Sequence, residues 1–138
     1  ESYTDTLDAV ARSLPALWRA EKVQKKASKA HFDWENTQQT LEKVHEELGE
    51  LEEAIAEGNL DHMMEEYGDL LFASVNTARF MGVDPEDALN AATEKFIRRF
   101  RQVEQLSQAR GQALDACSVD ELVALWKDAK HTLDDTNP

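Results

Sequence analysis

The chain has 138 residues, 41% of them hydrophobic and 31% charged, and a formal net charge of −13. That is one domain's worth of chain, residues 1–138, and so acidic a surface excludes a general nucleic-acid or anionic-membrane binder, which needs basic groups to release counterions. A lone cysteine, Cys117, excludes an internal disulfide, and with no signal peptide and no apolar run of about 18 residues the expected compartment is the cytoplasm.

With only five Gly and three Pro, the composition leans helical. A first helix is expected from about Ser13 to Ala30, after a shorter turn or helix, with Pro15 near its first turn and Leu14, Leu17, Trp18 and Ala27 on its apolar side. After a break at Phe32, Asp33 and Trp34, a second helix spans about Glu35 to Glu57. Its apolar stripe is Leu41, Val44, Leu48, Leu51 and Ile55, and Gly58 and Asn59 end it.

A third helix, Leu60 to Met81, follows so closely that the two must form an antiparallel hairpin. Its apolar residues run nearly all round, which predicts burial on more than one face by this chain or by a second copy. Asp84-Pro85 starts a fourth helix, to about Gln108, with Leu89, Ala92, Phe96, Phe100 and Val103 on its apolar face. Ser118-x-x-Glu121 is a capping box for a fifth, short helix with a Val119, Leu122, Trp126 stripe. Cys117 reads as a thiol between helices, Trp18, Trp34 and Trp126 read as core, and residues 1–4 and 133–138 are expected to fray.

Two carboxylate pairs carry the chemistry. Glu47-x-x-Glu50 and Glu66-x-x-Asp69 each place two like charges on one helix face, a cost unless a cation lies between them. Hard oxygen ligands suggest Mg2+, with Mn2+ as a substitute. On the third helix, Glu66, Asp69, Ala73, Asn76 and Thr77 form a narrow polar stripe, and helices packed about 8–10 Å apart bring such stripes within reach of one ion or a pair of ions. Asp69, flanked by Gly68 and Leu70, is a poor helix former with no cap to justify it. Glu46, Glu52, Glu53 and Glu57 read as solvated. A di-iron bundle is the rival reading, but it needs two Glu-x-x-His motifs; the chain has only Glu42-x-x-His45, and His45 reads as a solvated helical residue.

On the fourth helix, Lys95 and Arg99 lie one turn apart beside the apolar face, whereas Arg98 and Arg101 point outward. That pair suits a polyphosphate, the arginine gripping oxygens in a fork and the lysine acting as a compact charge; ion pairs with acidic helices are the competing reading. Trp126 and Lys130 repeat the spacing.

In order, Glu46-Glu47-x-x-Glu50, Glu65-Glu66-Tyr67-Gly68-Asp69-Leu70-Leu71-Phe72-Ala73 and Glu94-Lys95-Phe96-Ile97-Arg98-Arg99-Phe100 resemble the MazG-type nucleoside triphosphate pyrophosphohydrolases of the all-alpha superfamily. Leu14-Pro15-Ala16-Leu17 and Phe32-Asp33-Trp34 extend the likeness over nearly the whole chain, which is similar to the carboxy-terminal of two tandem domains in longer members. Departures fall at Thr93, where an asparagine is usual, and at Trp18, where methionine is common.

The resemblance implies an all-α antiparallel bundle of four main helices plus a short C-terminal helix, completed by homodimerisation. It implies Mg-dependent hydrolysis of a nucleoside triphosphate, with broad specificity, to monophosphate and pyrophosphate. Glu47, Glu50, Glu66 and Asp69 match the metal ligands, and Lys95, Arg99, Trp126 and Lys130 match substrate contacts. Glu46 or Glu50 would orient or deprotonate the attacking water. A narrower pyrophosphatase for dUTP, dCTP or phosphoribosyl-ATP, and a non-catalytic acidic interaction module, are the alternatives.

Overall fold

A computed structural model describes the backbone of residues 2–136 and side chains as far as Thr132. Most of the C-terminal stretch expected to fray, and Glu1 at the other end, lie outside the described side chains. The protein is all-α: α1 (Tyr3–Asp8), α2 (Ala16–Ser28), α3 (Thr37–Glu57), α4 (Leu60–Met81), α5 (Pro85–Ala109) and α6 (Val119–Thr136), with a 3-10 turn at Leu114–Ala116 and no strand among the described residues. The chain forms two compact units, residues 1–88 and 89–138.

In the first unit, side-chain caps fix most of the helix starts. Ser2 and Asp5 make a reciprocal capping box at the start of α1. Pro15, whose ring presets φ, precedes α2 without a side-chain cap. His31 adopts a left-handed φ of 63° just after α2, ending it two residues before the expected Ala30. Asn36 caps α3, its side chain accepting from the Gln39 amide at 2.9 Å, so that helix starts at Thr37 rather than Glu35.

Between α3 and α4 the turn takes only two residues. Gly58 sits at φ 73° and donates to the Ala54 and Ile55 carbonyls, then Asn59 caps α4 by accepting from the His62 amide at 3.1 Å. This makes the antiparallel hairpin that the spacing predicts. Asp84 opens α5 by accepting from the Asp87 amide at 3.1 Å, and the same oxygen accepts from Trp18 Nε1 at 2.8 Å. Trp18 and Trp34 are therefore not core residues, at 37% and 39% exposed.

The inward face of the hairpin is narrower and more polar than the expected stripe. On α3 the buried residues are Thr40, Glu47 and Ala54, while Leu41, Leu48 and Ile55 are exposed. On α4 they are Glu66, Ala73, Val75, Thr77 and Ala78, so Glu66, Ala73 and Thr77 of the polar stripe face inward, Asn76 is half-buried and Asp69 exposed, and Met64, Tyr67, Leu71 and Phe72 also lie exposed. Small residues at the contact let the two backbones approach closely, which leaves the long apolar side chains outside.

The second unit is built on Val103, Leu125 and Ala129, with Leu106, Leu114, Cys117 and Trp126 packed around them. The expected stripes are corrected here. Leu89, Phe96 and Phe100 on α5, and Val119 and Leu122 on α6, are exposed. Nor is α6 short, at 18 residues: Ser118 and Glu121 cap it as expected, accepting and returning hydrogen bonds at 3.2 and 3.0 Å. Cys117 lies between helices, its Sγ 3.3 Å from the Ala113 carbonyl.

Candidate active site

Glu47 on α3 and Glu66 on α4 are buried against one another across the hairpin, and Asp69 stands one turn on from Glu66. One carboxylate oxygen from each can be chosen so that all three lie within 4.8 Å of one another. Oε2 of Glu47 and Oε2 of Glu66 are both fully buried and meet no hydrogen-bond donor. Buried carboxylate oxygens without donors are costly, and a cation between them removes that cost. The donor set is all oxygen, which fits a hard divalent ion.

Each buried glutamate is held from its other side. Lys43, one turn before Glu47, places its Nζ 2.9 Å from Glu47 Oε1 and 3.3 Å from Glu46 Oε2. Those hydrogen bonds raise the Lys43 pKa. His62, one turn before Glu66, lies with Nε2 3.2 Å from Glu66 Oε1 and Nδ1 2.9 Å from Glu57 Oε2. Two carboxylates on one ring favour the imidazolium, and Glu57 contributes most to the raised His62 pKa.

Glu50 completes the constellation electrostatically. It stands outside the group of three whose oxygens converge within 4.8 Å, but the neighbouring carboxylates of Glu47 and then Glu66 push its carboxyl up to about 7. Asp69 is raised too, first by desolvation and then by the charges of Glu47 and Glu66. Glu46 is different: it is exposed and turned to Lys43. His45 is also exposed.

A pocket of about 570 Å3 opens beside the carboxylates. Lys43, Glu47 and Asp69 line one part, and Trp34, Phe72, Asn76 and Arg79 are among the residues lining the rest. Arg79 is pinned there, its Nη1 donating to Asp33 Oδ2 at 2.9 Å and its Nη2 to Asn76 Oδ1 at 2.8 Å. The Arg79 guanidinium in turn holds the Asp33 carboxyl below the usual range.

The cationic candidates belong to the second unit. Lys95 is exposed, Arg99 is half-buried and Lys130 is exposed. Trp126 is half-buried, tilted against Phe96 at 5.3 Å between centroids, and the Arg99 guanidinium lies 5.8 Å from the centre of its ring. Arg98 and Arg101 are exposed, as expected.

Sequence reasoning passed over Lys43, His62 and the Asp33–Arg79 pair. The first two carried a signal, since each precedes its glutamate by four residues on one helix face. Asp33 and Arg79 are 46 residues apart and carried none.

Residues 35–104 match the MazG nucleotide pyrophosphohydrolase domain. The chain is 42% identical over 126 residues to the nucleoside triphosphate pyrophosphohydrolase of Escherichia coli (strain K12), covering 90% of this chain and 48% of that protein. It is 44% identical over 117 residues to the nucleoside triphosphate pyrophosphohydrolase/pyrophosphatase MazG of Thermotoga maritima, covering 85% of this chain and 45% of the relative. A third relative, the uncharacterized protein YabN of Bacillus subtilis (strain 168), is 42% identical over 132 residues, or 95% of this chain and 27% of that protein. The chain thus spans about half the length, or less, of the curated relatives it matches.

Proposed function

Since the chain belongs to the MazG nucleotide pyrophosphohydrolase family, we propose that it hydrolyses nucleoside triphosphates to the monophosphate and pyrophosphate, with broad specificity, in the cytoplasm. The observation that carries this reading is the convergence of the Glu47, Glu66 and Asp69 carboxylates, two of them with a buried, donor-less oxygen, at the edge of a nucleotide-sized pocket.

In this proposal Glu47, Glu50, Glu66 and Asp69 hold Mg2+, for which Mn2+ can substitute. Bound there, the ion supplies charge neutralisation at phosphate oxygens and lowers the pKa of water. Lys43 keeps Glu47 charged and aimed, and His62 does the same for Glu66. Glu50 orients or deprotonates the attacking water: it stands beside the cluster, whereas Glu46 is turned away to Lys43. Lys95 and Arg99 contact the phosphates, Trp126 and Lys130 contribute further substrate contacts, and the enzyme works as a homodimer. The exposed apolar side chains of α3 and α4 support the last point, because a second copy would cover them.

The test is product analysis on a panel of ribo- and deoxyribonucleoside triphosphates, with and without Mg2+. Monophosphate and pyrophosphate in equal amounts, formed only with the metal, are expected. If Asp69→Asn or Glu66→Gln retains full production of both, the metal site has been misplaced.

A further inference from the structure

Three residues lining the pocket carry a buried polar atom that meets no protein partner: Glu47 Oε2, which belongs to the carboxylate cluster, Arg79 Nε, and Gln24 Oε1. Gln24, on α2, lines the pocket and is only 5% exposed. Its Nε2 donates to the Phe72 carbonyl at 2.9 Å. A backbone carbonyl can only accept, so this bond fixes which end of the carboxamide faces which way. The other end, Oε1, is buried without any donor from the protein. Buried acceptors are nearly always paired, and an exception in a pocket wall marks where a ligand donor belongs.

The surroundings say what kind of ligand. Trp34 and Phe72 bring aromatic surface to the same pocket, and the charges of the lining lysine and arginine are already paired, Lys43 with Glu47 and Arg79 with Asp33, only Arg79 Nε being left without a partner. An acceptor oxygen with no unpaired lysine or arginine charge beside it would repel a phosphate. It suits an N–H or O–H group on an uncharged, partly apolar moiety. Asn76 adds complementary chemistry, because its Oδ1 is taken by Arg79 and its amide hydrogens remain to donate.

We infer that Gln24 is a specificity-determining residue that accepts a hydrogen bond through Oε1 from the nucleoside part of the substrate, while the triphosphate extends toward the carboxylates. This rests on the activity proposed above and adds to it the feature of the substrate that is read. The donor is either a base N–H or a sugar hydroxyl, the two sources of the same chemistry on a nucleoside. A site that hydrogen-bonds a substrate group rejects the analogue lacking it much more strongly than an apolar pocket does, because its own polar atom is then left unpaired.

The experiment compares ATP with three analogues, each missing one donor: purine riboside triphosphate, 2′-deoxy-ATP and 3′-deoxy-ATP. For the wild type, at least one analogue should fall by ten-fold or more in kcat/KM, and which one falls identifies the source. Gln24→Met, which keeps length but removes the acceptor, should lower kcat/KM for ATP and bring that ratio close to one. Nucleotide binding followed by tryptophan fluorescence in Ca2+ gives the same ratios without turnover. If the wild type binds these nucleotides with the expected discrimination but hydrolyses none, the activity falls and the Gln24 contact stands. A wild type that treats all four alike, in turnover or in binding, overturns the Gln24 contact even if Gln24→Met fails to fold. So does a Gln24→Met ratio equal to that of the wild type.

Discussion

His62 Nε2 lies 3.2 Å from Glu66 Oε1, while the other oxygen of that carboxylate, Oε2, is buried without a partner. With its other nitrogen 2.9 Å from Glu57, the ring is held at both ends and in turn fixes the rotamer of Glu66. Residues standing behind a ligand commonly change metal affinity 10- to 100-fold when removed. His62→Ala should therefore weaken Mn2+ binding by about 10-fold, read by titration with paramagnetic resonance detection, and His62→Gln should recover part of it. Unchanged affinity in His62→Ala would mean that Glu66 needs no such support.

Lys43 supports Glu47 in the same way, through a 2.9 Å ion pair with a carboxylate almost wholly removed from solvent. Replacing it with methionine leaves that buried charge without its donor, at a cost of about 1–3 kcal/mol. In urea denaturation of metal-free protein, Lys43→Met should lose stability of that order. Saturating Mg2+ should restore much of it, because the cation becomes the partner that Glu47 lost. A loss that Mg2+ leaves untouched would put Glu47 outside the metal site.

The helix boundaries and the inward polar stripe could be read from the chain because they depend on neighbours in sequence. Gly58-Asn59 and Asp84-Pro85 contain both the signal and the atoms that make the caps, and Glu66, Ala73 and Thr77 share a face by periodicity alone. Burial was harder. Leu41, Leu48 and Ile55 have the spacing of a core stripe, yet what a helix buries is decided by the partner it meets, and α4 offers Ala73, Thr77 and Ala78. The length of α6 was misjudged because a capping box announces only a beginning. Gln24, Phe72 and the Asp33–Arg79 pair meet across long sequence separations, and no spacing rule reaches them.

Gly58 tests the hairpin that brings the two carboxylate pairs together. At φ 73° it adopts a conformation that a side chain disfavours, although a Cβ there would meet no neighbouring atom. The cost of Gly58→Ala is therefore conformational and should be about 1 kcal/mol. It should appear in the denaturation midpoint with no change in metal affinity once the protein is folded. A stability equal to the wild type would show that the left-handed turn is not required.

Glu50 ties the site to pH. Its carboxyl, raised to about 7 by Glu47 and Glu66, titrates near its ordinary 4.5 in the unfolded chain. Between those values the folded protein binds more protons than the unfolded one, so stability falls as pH rises through that window and levels off above it. Metal-free protein should accordingly be more stable at pH 5 than at pH 8, as far as Glu50 is concerned, and Glu50→Gln should flatten that slope. Mg2+ competes with the proton on Glu50, so its apparent affinity should rise over the same interval and calorimetry should register proton release near neutrality. If thermal melts of the metal-free wild type and Glu50→Gln show the same slope from pH 5 to 8, the carboxyl of Glu50 is not raised by the buried pair.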